Sequence, residues 1–145
     1  MATRVKDVLD AEEAAGLRTT AGHEGFAGAV LKIKTDLLDF LIGAARGGKS
    51  VAGYGAPGKG NTLLNHCGIR SDLLAYTVDR SPWKQGKFLP GTHIPIHAPE
   101  RIAQTRPDYV LVLPWNLKDE ISQQLEYVRD WGGRLVFPIP ALEIV

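Results

Sequence analysis

A short apolar run from Val51 to Ala56 enters the hexapeptide Gly53-Tyr54-Gly55-Ala56-Pro57-Gly58, and Asn61 to Cys67 reads as the helix that follows. Few architectures accommodate a strand, a glycine-rich turn and a helix in that order. The glycines let the backbone turn tightly and let a phosphate approach, while the helix N-terminus offers free amides and a positive dipole end. The rest of the chain keeps the same rhythm. Leu74 to Asp79 reads as a second strand, Tyr109 to Pro114 as a third and Leu135 to Ile139 as a fourth. The third is continuously apolar, as a strand covered on both faces should be. A short helix around Pro99 to Thr105 is expected before it. Another should begin near Asn116 as N-cap, with Leu117, Ile121, Leu125 and Val128 buried and Gly132-Gly133 as its stop.

Ahead of the first strand, Phe26, Val30, Ile33, Leu37 and Leu41 recur at spacings of three and four and form one apolar helix face, ended by Gly47-Gly48. A shorter helix is expected over Val5 to Ala15, with Gly16 as its C-cap. Strands separated by helices imply parallel pairing through right-handed crossovers. The prediction is a Rossmann-like α/β domain. It has a doubly wound parallel sheet of about four to five strands in the order second-first-third-fourth, with the N-terminal helices packed on it. Residues 1–20 read as a helix or linker from a preceding domain, and 21–145 as the domain itself.

Composition narrows the function classes. The chain has 145 residues, enough for one domain with a proper core. No apolar run is long enough to span a bilayer, the N-terminus lacks a signal-peptide pattern, and Cys67 is the only cysteine. These features lead to the expectation of a cytoplasmic protein without disulfides, cysteine-based zinc or membrane partner. The net charge of +1 is unevenly spread: from Phe40 to Pro99 seven bases face only Asp72 and Asp79, so that stretch carries +5 and the remainder −4. Such a centre attracts a small anion and is too modest for a nucleic-acid surface.

In an open parallel sheet the ligand lies beyond the carboxyl ends of the strands. The loops after Ala56, Asp79 and Pro114 should therefore meet, with Lys59 pointing into their cleft. The first two contribute Lys59, Arg80, Lys84 and Lys87; the third contributes Trp115, a stacking face, and Asn116. Asp79 stands where dinucleotide folds place a carboxylate for a ribose hydroxyl. A dinucleotide is one reading and a phosphate-rich ligand another, since Pro57 removes an amide from the turn. Plainer alternatives stand beside each residue: close strand–helix packing for the glycines, solvated charge for the lysines, a core role for Trp115 and helix capping for Asn116. His93 can line the cleft, whereas His66 beside Cys67 reads as packing, and His23 and His97 have no suggestive partner. No spacing resembles a metal site, and no nucleophile has a base with an orienting group.

The run from Gly53 through Gly58-Lys59-Gly60-Asn61-Thr62-Leu63-Leu64-Asn65 resembles the signature of the C-terminal domain of SAM-dependent sugar C-methyltransferases. So do Val78-Asp79-Arg80-Ser81-Pro82, the stretch from Lys84 to Ile96, Pro107 to Asn116, and Phe137-Pro138-Ile139-Pro140. Gly58 departs from the alanine often found there. In that family a zinc-binding N-terminal region and a central SAM-binding domain precede this one, and the substrates are keto sugars on a nucleotide diphosphate. The resemblance implies that Gly53, Gly55, Lys59, Asn61, His93, Trp115 and Asn116 lie at or near the substrate cleft; Gly60, Asp79, Lys84 and Lys87 complete the substrate-binding set read from the loops. It also implies that SAM and zinc belong to the other domains, that a SAM-binding methyltransferase domain is the partner in cis, and that this chain alone is catalytically incomplete. A start inside a helix that would continue from a preceding domain favours an excised domain.

Overall fold

The computed structural model describes residues 20–145, with side chains from residue 28 onward. The helix expected over Val5 to Ala15, and the placement of the Phe26 side chain, lie outside the described residues. The chain divides into two compact units, 1–33 and 34–145. The described part of the first is the opening of helix α1 (Thr20–Arg46). In the second unit, Leu37 and Leu41 of α1 are buried, as their spacing predicts, and so is Ala44. The helix stops at Gly47-Gly48, where Gly48 N–H bonds to Ala45 O and Lys49 N–H to Ala44 O at 2.8 Å.

The elements that follow are β1 (Val51–Tyr54), α2 (Gly58–Cys67), β2 (Thr77–Val78), β3 (Ile96–His97), α3 (Glu100–Thr105) and β4 (Tyr109–Val112). After a 3-10 turn (Trp115–Leu117) come α4 (Lys118–Gln124), a second 3-10 stretch (Glu126–Trp131), β5 (Arg134–Phe137) and β6 (Glu143–Ile144). The six strands lie in the order β3-β2-β1-β4-β5-β6. β1 pairs in parallel with β2 and β4, in register at Gly53 with Thr77 and Leu111. The four strands expected from the apolar runs take the expected order, with Val51–Tyr54 central.

The strand count is larger than expected. Two-residue edge strands extend the sheet, β3 in parallel beside β2 and β6 antiparallel beside β5. The chain between Phe137 and Glu143 is too short for a crossover helix, so it can only return antiparallel. No strand is expected from sequence at Ile96–His97, and the expected strand from Leu74 shrinks to Thr77–Val78. Neither edge segment has the length or alternation that announces a strand in sequence.

Helices cover both faces. Val51, Leu111, Leu113 and Val136 pack with Leu37, Leu41 and Leu64 on one side. Ala52, Tyr54, Val110, Val112, Leu135 and Phe137 pack with Ile102, Ile121, Leu125 and Val128 on the other. Neighbouring residues of one strand point to opposite faces, so the unbroken apolar run in β4 feeds two cores at once. Phe40 meets Tyr109 edge-on, with ring centroids 4.9 Å apart.

The region after β4 departs from expectation. Asn116 caps nothing: neither helix start there has a side-chain cap hydrogen bond, and Asn116 sits inside the 3-10 turn. Leu117, expected in the core, is 44% exposed. Pro114 has no N–H and its carbonyl accepts from Leu117 N–H at 3.0 Å, which winds the chain tightly before α4 begins. Three residues per turn instead of 3.6 rotates Leu117 off the buried stripe that Ile121, Leu125 and Val128 keep.

Candidate functional site

The loops after β1, β2 and β4 converge at the carboxyl ends of the strands. Ala56 N–H donates to Asp79 Oδ2 at 2.8 Å, which ties the first loop to the second. Gly55 lies against Pro114, which brings in the third: a Cβ on Gly55 would fall 2.7 Å from Pro114 Cδ, and its φ of +92° is one that side chains rarely adopt. Gly53 and Gly60 are also packing positions. A Cβ on Gly53 would meet Thr77 Oγ1 at 2.7 Å, and one on Gly60 would meet Leu113 Cβ at 2.8 Å. Gly58, the third glycine of the hexapeptide, faces open space. Close helix–strand packing therefore falls to Gly60, outside the motif.

The crevice opens on the α4 side of β1. A cavity of 620 Å³ is lined by Tyr54, Arg80, Gln85, Glu100, Gln124 and Tyr127, among others. A smaller one of 160 Å³, lined by Gly55, Asp79, Pro114, Leu117 and Glu120, shares Tyr54, Arg80 and Gln124 with it. Tyr54 Oη donates to Gln124 Oε1 at 2.9 Å. Burial raises the Tyr54 phenol above its usual pKa, with the nearby Arg80 guanidinium opposing the shift and Asp79 and Glu120 adding to it. Tyr127 is raised as well, chiefly by burial. Arg80 supplies the positive charge of both cavities.

Of the residues singled out from sequence, Gly55, Asp79 and Arg80 line this crevice, and the other proposed ligand contacts do not. Lys59 is exposed at the first turn of α2. Asn61 has a buried Oδ1 without a hydrogen-bond partner. Lys84 donates to the Ala56 carbonyl at 3.0 Å and lies 3.9 Å from Asp79 Oδ2, so it is tied to the turn. Lys87 and His93 are exposed, His93 with a left-handed φ of 59°. Trp115 is half-buried and Asn116 exposed. His66 is exposed, while burial pushes the Cys67 thiol up to about 11, so the two do not form a thiolate pair. Among the described residues, no group of three or more His, Cys, Asp or Glu is arranged to hold a metal. No described helix is long and apolar enough to cross a membrane.

Sequence reasoning missed Tyr54, Gln85, Glu120, Gln124 and Tyr127. A signal existed for three of them: Glu120, Gln124 and Tyr127 recur at spacings of four and three beside the buried Ile121, Leu125 and Val128. Such a polar stripe reads as a solvated face unless the loops opposite are known.

Fold and crevice together define a Rossmann-like α/β domain whose candidate site lies at the switch between β1 and β4. The chain belongs to the C-methyltransferase C-terminal domain family, whose model matches residues 1–140. It is 36% identical over 141 residues to the C-methyltransferase NovU of Streptomyces niveus, covering 97% of this chain and 34% of that protein. The chain thus spans about a third of that relative's length. Among solved structures it is similar to UDP-D-quinovosamine 4-dehydrogenase from Vibrio fischeri, at a TM-score of 0.46 and 19% identity, over 67% of this chain and 93% of that one.

Proposed function

We propose that this methyltransferase domain is the nucleotide-sugar-binding module of a SAM-dependent C-methyltransferase and is catalytically incomplete alone. The observation that carries the reading is the crevice where the β1, β2 and β4 loops converge. Arg80 stands between its two cavities as the contact for a diphosphate, and Tyr54, Gln85, Gln124 and Tyr127 offer hydrogen-bonding and aromatic surface on either side. The glycine turn itself packs against Thr77 and Pro114, which favours a structural role for it.

In this reading SAM is not bound by this chain. A SAM site needs an open glycine loop and an acid free for the ribose, whereas Ala56 N–H and Asp79 carboxylate here bond to each other at 2.8 Å. The methyl donor, the base that removes the proton from the sugar carbon, and the zinc belong in this reading to the other domains of the parent enzyme. This chain holds and orients the nucleotide end.

Titration with a nucleoside diphosphate, followed by amide chemical shifts, should move the residues around Tyr54, Arg80 and Gln124. NADH perturbing them at far lower concentration would favour a dinucleotide-binding domain instead. Calorimetry with SAM and a methyl-transfer assay on a nucleotide-linked keto sugar should both be blank for the isolated chain. Tight SAM binding or any turnover sinks the module reading, whereas activity that returns when a SAM-binding domain is joined in cis supports it.

A further inference from the structure

Ala56 is gripped at both of its backbone polar groups by the loop that follows β2. Its N–H donates to Asp79 Oδ2 at 2.8 Å, and its carbonyl accepts from Lys84 Nζ at 3.0 Å. Lys84 Nζ lies 3.9 Å from that same carboxylate oxygen. The other carboxylate oxygen accepts Ser81 N–H at 2.8 Å, and Gln85 Nε2 donates to the Asp79 carbonyl at 2.8 Å. Next to Ala56, Gly55 N–H donates to the Val78 carbonyl at 2.6 Å, and the Gly55 carbonyl accepts Thr77 Oγ1 at 2.7 Å. Pro57 has no N–H to offer. From Gly55 to Pro57, every backbone donor is therefore engaged within the domain.

A dinucleotide fold uses these groups in the opposite way. There the diphosphate rests on the glycine turn, and the acid at the end of the second strand takes a ribose hydroxyl. Here the acid is bonded to the turn, so neither its carboxylate nor the Ala56 amide is free for a dinucleotide. The same bonds hold the first residues after β2 against the end of β1, and Arg80 lies between Asp79 and Ser81. We propose that Asp79 and Lys84 form a latch that bars the glycine turn to dinucleotides and sets Arg80 at the crevice. The second half rests on the reading of the crevice as a diphosphate site; the first half does not.

The test uses the 145-residue chain with inorganic pyrophosphate and NAD+ as probes, read by amide exchange and by backbone and Arg80 Nε–H chemical shifts. In the unaltered chain, Ala56 N–H should exchange slowly. Pyrophosphate should move Arg80 Nε–H and leave the Ala56 and Gly58 amides in place, and NAD+ should leave those amides in place too. Asp79→Ala should speed Ala56 exchange by about tenfold or more, as loss of a charge-assisted hydrogen bond implies, and should let pyrophosphate reach Ala56 and Gly58. Asp79→Asn, similar in shape but uncharged, should show the same change to a smaller degree, and it decides the matter if Asp79→Ala fails to fold. Lys84→Arg keeps a donor for the Ala56 carbonyl and should behave as the unaltered chain, whereas Lys84→Gln should loosen the turn. Fast Ala56 exchange in the unaltered chain overturns the latch, as does pyrophosphate or NAD+ moving Ala56 and Gly58 there. A folded Asp79→Asn chain with no gain of access at the turn also overturns it. Slow Ala56 exchange with Arg80 unmoved by pyrophosphate keeps the barrier and removes the diphosphate role of Arg80.

Discussion

The two sides of the β1 carboxyl end are built for different purposes. On the α2 side the glycines bring backbone against Thr77, Pro114 and Leu113, and the turn's donors are occupied by Val78 and Asp79. On the α4 side Tyr54, Arg80 and Gln124 border open volume. The side that carries the recognisable motif is the closed one. A glycine pattern records where backbones must come close, and a ligand is only one of the things that can come close.

The contrast can be broken by substitution. Gly55→Ala should produce the largest effect, a loss of roughly 3 kcal/mol of stability in denaturant unfolding, because the new Cβ adds left-handed strain to a clash with Pro114. A neutral result would mean that the turn is loose enough to admit a ligand. Arg80→Gln should weaken nucleoside diphosphate binding about tenfold in calorimetry, a charge-assisted contact discounted for solvent exposure, and leave the unfolding midpoint almost unchanged. Binding that survives it intact moves the diphosphate away from the crevice.

Tyr54→Phe removes the hydrogen bond to Gln124 and should cost about 1 kcal/mol of stability. Placed in the same calorimetric series, it tells whether the phenol also meets the ligand. The smallest effect is expected of Lys59→Ala, within about 0.5 kcal/mol in stability and without change in diphosphate affinity, since Lys59 is exposed and lines neither cavity. A tenfold loss of affinity there would return the ligand to the α2 side and reverse the comparison.

Much of the fold was legible because periodicity is a local property. The apolar runs at Val51, Tyr109 and Leu135 and the helical spacing through Leu37 and Leu41 announced the layers and the order of the four main strands. The edge strands Ile96–His97 and Glu143–Ile144 were not legible, because two residues carry no period. Leu117 and Asn116 misled because the sequence pattern assumes 3.6 residues per turn, and Pro114 begins a tighter one.

Within the candidate site, the motif residues divided. Gly55, Asp79 and Arg80 reached the crevice wall, while Lys59, Gly60, Asn61, Lys87, His93, Trp115 and Asn116 lie off it and Lys84 is turned onto Ala56. The sequence alone determined the alternation of strand and helix, the position of the glycine turn and the family signature, since each depends on neighbours along the chain. Only the tertiary structure decided that Asp79 faces Ala56, 23 residues away, and that Tyr54 meets Gln124, 70 residues away. Side-chain partners across a sheet end depend on which loops fold over it, and no local pattern encodes that choice.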